Sequence, residues 1–160
     1  MIRYLKPIQF ITVYPHPMET ITLICEILQK TLLNLTDSIN RLQMALKNQD
    51  DKAITFNTLQ DSILKRFDLY YIYSLKYGAA LLKSHFQITL RIRTPKKIFN
   101  TLYQKQLIAQ KELDILLATV RIKSLSKKCY DPKSTARAIH VIIEALPVIQ
   151  KVTQKIVHKK

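Results

Sequence analysis

The side chains that could move a proton or hold a metal are few and scattered. Histidine occurs at His16, His85, His140 and His158. None has a Cys, Asp or Glu partner expected at metal-ligand spacing, so neither a metal nor another cofactor is expected. Cys25 and Cys129 lie too far apart to suggest a disulfide framework or a zinc site, and they suit a reducing cytoplasm. Tyr70, Tyr71, Tyr73 and Tyr77 form the densest aromatic cluster. Such rings can stack on bases, but at helical spacing on one long helix a core or dimer-interface role is the stronger expectation. The polar stretch from Lys123 to Pro132 crowds Lys123, Lys127 and Lys128 before Tyr130 and Asp131. Ammonium groups there would attract anions. The plain alternative for the lysine pair is a solvated loop, and for Tyr130 a packing residue before the last helix.

The charge balance points the same way. The chain carries 26 Lys and Arg against 11 Asp and Glu, a net +15. Residues 1–90 hold 10 basic and 7 acidic side chains, whereas residues 91–160 hold 16 and 4. An excess concentrated in one half draws nucleic acid or an acidic protein, or is simply a lysine-rich solvated surface.

The elements that position these groups should be helices. With one glycine (Gly78) in 160 residues the chain lacks the tight-turn residues of a β domain, and Leu, Ile, Lys, Gln and Ala dominate. Leu23, Ile27, Leu35, Ile39, Leu42 and Leu46 predict a helix over 19–48, with Thr36-Asp37 as a candidate interruption because both are good N-caps. Phe56, Leu59, Ile63, Phe67, Tyr70, Ser74, Tyr77 and Leu81 step by three and four, predicting a helix over about 52–84. Residues 87–93 alternate like a strand but have no partner strand, which favours a loop. Thr94-Pro95 reads as a cap opening a short helix to about Gln106. Helices over about 110–123 and 134–157 follow, the first with Leu113, Leu116, Leu117 and Val120 inward. The second has Ile139, Ile143, Leu146, Ile149 and Val152 or Thr153 inward and a kink at Pro147. Residues 1–17, with three prolines, read as a poorly ordered arm rather than a signal peptide, with Met18 as an alternative start. Residues 18–160 read as a single helical-bundle domain. The most apolar stretch, Ile21–Leu35, contains Glu26 and Lys30, so no membrane span is expected.

Two stretches, taken together, carry a family likeness. One is Gln60-Asp61-Ser62-Ile63-Leu64-Lys65-Arg66-Phe67-Asp68-Leu69-Tyr70-Tyr71 with Lys76 following. The other runs from Thr94-Pro95-Lys96-Lys97 through Leu107-Ile108, Glu112 and Leu113 to Lys123–Asp131. In order and spacing they resemble the HEPN family of nucleotidyltransferase substrate-binding proteins, over about residues 36–157. The resemblance implies an all-α, up-and-down four- or five-helix bundle that forms a homodimer. Its partner would be a minimal nucleotidyltransferase, in a toxin–antitoxin-type pair whose HEPN member cleaves RNA. The family's motif is Arg-x4-His-x-Tyr, and the partner adds AMP to the tyrosine. Here Lys123 stands at the arginine position and Lys128 at the histidine position, while Tyr130 and Asp131 match. Arg66 matches the family's long helix, Asp68 replaces its glutamate, and Leu75 and Leu113, or a neighbour, replace its tryptophans.

The lysine replacements have a chemical consequence. Imidazole exchanges protons near neutrality, but a lysine at its ordinary pKa of about 10.4 stays charged. Arginine offers a planar fork to phosphate, and lysine only a point charge. Acid–base cleavage of RNA should be lost and attraction for anions kept. The expectation is therefore a cytoplasmic HEPN-like partner protein without ribonuclease activity, with Tyr130 as the AMP acceptor. Two alternatives stand beside it. One is an active ribonuclease toxin in which crowding depresses a lysine pKa, and the other is a non-catalytic basic RNA-binding bundle.

Overall fold

The computed structural model describes residues 17–48, 53–126 and 131–158. Among them are five helices and no strand: α1 (Pro17–Lys47), α2 (Ala53–Phe86), α3 (Pro95–Gln104), α4 (Gln110–Ser126) and α5 (Pro132–Val157). The protein is an all-α helical bundle, as the sequence predicts. Pro17, assigned above to the arm, is the first residue of α1; the rest of the arm lies outside the described residues.

Side-chain bonds fix how the helices run. Ser38 and Ser62 hydroxyls meet at 3.3 Å, and Arg66 donates to the Asn34 carbonyl at 2.7 Å. Four residues back on α1 thus match four forward on α2, so the two helices form an antiparallel hairpin. Glu112 at the start of α4 meets Lys155 near the end of α5, making those helices a second antiparallel pair. The pairs are joined where Tyr70 and Thr153 share a hydrogen bond of 2.9 Å, Tyr77 donates to the Ile156 carbonyl at 3.3 Å, and Gln150 reaches Thr36 at 3.2 Å. Short α3 packs on both α2 and α4.

α1 is continuous through Thr36-Asp37, where an interruption is conceivable from sequence. Thr36 donates its hydroxyl back to the Leu32 carbonyl at 3.0 Å, and Asp37 pairs with Arg41 one turn on at 3.1 Å. Both side chains spend their capping capacity inside the helix, while Leu35 between these turns is fully buried. α2 buries Ile63, Phe67, Tyr70, Ser74, Tyr77 and Leu81 as its periodicity requires. Residues 87–94 form a loop. α3 opens at the Thr94 cap, which accepts the Lys97 amide at 3.3 Å. It closes two residues earlier than predicted, because Gln106 takes φ 57°, the Leu107 amide returns to the Leu102 carbonyl, and the Gln106 amide returns to Tyr103. That is a Schellman cap with glutamine in the left-handed position. α5 continues through Pro147, so the proline does not end it.

Gly78 is the one place where a missing side chain shapes the packing. A Cβ there would lie 3.0 Å from Ile98 Cγ2 and 3.4 Å from Leu102 Cδ1, both nearly fully buried. A solvent-facing helical glycine gains about 1 kcal/mol on replacement by alanine. Here Cγ2 belongs to a β-branched side chain with little rotamer freedom, so crowding of about 1–3 kcal/mol opposes that gain. Gly78→Ala is expected to be destabilising by about 1 kcal/mol in urea unfolding; a rise in stability would show that α3 yields freely.

Candidate functional site at the α4–α5 turn

Two of the motif positions, Lys123 and Asp131, flank the connection between the last two helices. Lys123 is in the last turn of α4, and Asp131 is the N-cap of α5, followed by Pro132 at the first helical position. Asp131 accepts from both the Ser134 amide and the Ser134 hydroxyl at 3.2 Å, which satisfies an otherwise unpaired helix-start amide. Lys128 and Tyr130, with Lys127 and Cys129, lie outside the described residues. The exposed Lys133 and Arg137 on the first turns of α5 extend the positive surface.

Arg66 and Asp68 do not belong to that turn within one chain. Arg66 bridges to α1 through the Asn34 carbonyl and, at 3.8 Å, Asp37. Thr36, two residues from Asn34, is reached by Gln150, so Arg66 sits about five turns along α5 from Asp131, roughly 28 Å. Its role in the structure is to tie the first two helices together. Asp68 is half-buried on the same helix.

Base stacking by the tyrosine cluster is excluded for most of its members. Tyr70, Tyr71 and Tyr77 are buried, and burial pushes each phenol up to about 12. Tyr73, half-buried, has the Lys76 ammonium 4.9 Å from its ring centre. His85 is exposed and bonded to Ser84, and His158 is exposed at the end of α5. His140, also exposed, pairs with Glu144 at 3.2 Å. That i,i+4 spacing is one metals can use, contrary to the expectation that no histidine has such a partner, yet no group of three metal donors exists among the described residues. Cys25 is a buried free thiol. No described helix is long and apolar enough to cross a membrane.

The strongest polar cluster was missed from sequence. Glu112 is 5% exposed, accepts the Ala109 amide at 2.8 Å and Lys155 Nζ at 2.6 Å, and has Lys151 Nζ at 3.6 Å. The reach back to Ala109 is the acidic half of a capping box. Burial by itself raises the carboxyl pKa. The bonds from Lys155 and Ala109, with the charges of Lys155 and Lys151, outweigh it and hold the group below its ordinary value. Glu112 is the one acid between Asp68 and Asp114 in a basic stretch, and that isolation was the available signal. A folded-state pKa below the unfolded one adds stability above the ordinary carboxylate pKa, and that share is lost as pH falls through the folded value. Glu112→Gln is accordingly expected to cost about 2–3 kcal/mol at pH 7, with a smaller difference from wild type at pH 3. A pH-independent gap between the two proteins in urea titrations would contradict this.

No known family model, curated protein or solved structure matches the chain.

Proposed function

We propose that the protein is the HEPN-like partner of a minimal nucleotidyltransferase in a toxin–antitoxin-type pair, and that it lacks ribonuclease activity of its own. The observation that carries this reading is the ordered set Lys123, Lys128, Tyr130 and Asp131 at the connection of the last two helices. The spacing of a ribonuclease motif is kept while its proton-transferring imidazole is replaced by an ammonium group. The helical bundle and the basic C-terminal half suit the same role. Two copies form the working unit in this reading, in the cytoplasm, and the Tyr130 phenol oxygen loses its proton and attacks the α-phosphorus of an ATP held by the partner, so that the bond to AMP forms as the α–β phosphoanhydride breaks and pyrophosphate leaves. The basic half also favours an alternative, an active ribonuclease with an altered site.

The decisive experiment pairs the purified chain with the product of a neighbouring reading frame that carries a Gly-Ser motif and paired aspartates. Stable co-purification is expected, with an AMP adduct on Tyr130 that disappears in Tyr130→Phe. RNA incubated with the unmodified protein should stay intact. RNA cleavage that is abolished in Lys128→Ala would establish the alternative, and failure to associate with any such partner would remove the proposal.

A further inference from the structure

No acidic residue occurs between Asp68 and Glu112, and Glu112 is buried against Lys155. The loop from α2 into α3 and the first turn of α3 therefore form an unopposed positive surface. Arg91, Arg93, Lys96 and Lys97 are exposed, and none makes an ion pair with any described residue. The nearest exposed carboxylate along the chain, Asp114, is bonded to Gln110.

This charge borders a shaped surface. Thr94, Lys96, Lys97, Asn100, Thr101 and Gln104 line a depression of about 350 Å³. Thr94 is the N-cap, and the positions from Lys96 to Gln104, one and three apart in alternation, lie on one face of α3, while Ile98, Phe99 and Leu102 face the core. Gln104 also lines a second depression of about 490 Å³, with Tyr103, Gln106 and Lys155 on its wall. The two hollows thus share Gln104, the first lying along α3, a ten-residue helix of roughly 15 Å, and the second at its C-terminal end.

We infer that these two hollows, with the exposed loop that leads into α3, form a track for single-stranded nucleic acid, the phosphate backbone on Lys96 and Lys97 of the first hollow and on Arg91 and Arg93 of the loop beside it, and a base against Tyr103 of the second. The two arginines provide forked donors that phosphate and carboxylate oxygens accept alike, so the charge by itself suits either a nucleic acid or an acidic polypeptide. Gln104 adds an amide donor, whereas the Asn100 amide donates to the Lys96 carbonyl at 2.8 Å. The feature that favours a nucleic acid is an exposed ring beside the charge. Tyr103, 38% exposed, gives a ring on which a base can stack without sequence preference. The inference does not depend on the proposed nucleotidyltransferase partnership, because it uses none of the residues at the α4–α5 turn.

The test is fluorescence anisotropy of the full-length protein with a labelled oligouridylate and a labelled oligothymidylate over a range of salt. Each phosphate contact on a single strand contributes about −0.7 to the slope of log K against log salt. Four contacts then imply a slope near −3, or a loss on the order of several hundred-fold per tenfold rise in salt. The fourfold alanine variant at Arg91, Arg93, Lys96 and Lys97 should flatten that slope while its circular dichroism stays unchanged. Tyr103→Ala should weaken binding on the order of tenfold with the slope preserved. Lys30→Ala/Lys65→Ala, on exposed positions of the first two helices, should bind like wild type. Similar affinity for both oligomers identifies the phosphate backbone as the ligand, and a preference for oligouridylate adds recognition of the 2′-hydroxyl; either upholds the track. It is overturned by absence of binding at low salt, by an unchanged slope in the fourfold variant, or by equal, equally sensitive binding of poly-glutamate, which would make the partner an acidic protein.

Discussion

Ile142→Ala is expected to cost about 2–5 kcal/mol, the range for truncating a buried aliphatic side chain. Ile142 is fully buried on α5, between the half-buried Val141 and Ile143. Removing three carbons there loses their transfer free energy and leaves a cavity that neighbours such as Ile139, Leu146 and Ile149 can only partly fill, since their places are fixed by the other helices. The neighbouring Ile143→Ala removes the same atoms from a half-buried position and should cost roughly 1 kcal/mol. Urea unfolding of the two variants side by side measures the helix's rotation about its own axis. Equal losses would mean that α5 is turned relative to the arrangement described.

The second large effect is expected at high pH. Tyr70, Tyr71 and Tyr77 have their phenols pushed from 10 to about 12, by burial first in each case; Thr153 partly offsets this at Tyr70, and the Cys25 thiol adds to it at Tyr77. In the unfolded chain these groups ionise near their ordinary value of about 10. Their contribution is therefore whole below pH 10 and is lost as pH climbs through the folded value. A difference of two units corresponds to roughly 2–3 kcal/mol per tyrosine, an upper figure because the unfolded chain keeps some structure. Stability should fall steeply from pH 10 upward, with these three phenols ionising only as the helices melt. Tyr70→Phe removes one of the three titrations, so its unfolding midpoint should decline less steeply over the same interval. Tyrosinate absorbance that shows all phenols ionising near pH 10 while helical circular dichroism persists would rule this out.

Both predictions depend on which residues face inward, and sequence was an uneven guide to that. On α2 the periodicity named the buried face correctly from Ile63 to Leu81, because one stripe meets neighbours along that whole length. On α1, Leu23 and Leu46 continue the apolar pattern yet are 57% and 58% exposed, and the buried stripe starts at Cys25 and Leu28 instead. Period alone cannot say where along a 31-residue helix the partners begin and end. On α5, apolar residues at 141, 142 and 143 allow more than one stripe; Ile142 is fully buried, and Ile143, expected inward from the sequence, is half-buried. For the candidate site, the sequence supplied the motif and its place between two helices.

The sequence by itself determined that the chain is helical, where most helices begin and end, and that positive charge gathers in the second half. Those properties follow from nearest-neighbour preferences: caps at Thr94 and Asp131, prolines just after them, helix formers between, and almost no glycine. Tertiary structure alone decided that Glu112 is a buried anchor for Lys155, that Arg66 joins α1 to α2, and that three of four clustered tyrosines are core. Each of these pairs groups 32 to 83 residues apart along the chain. No local rule links such positions; they meet only because antiparallel helices pack their apolar faces and carry polar side chains into contact.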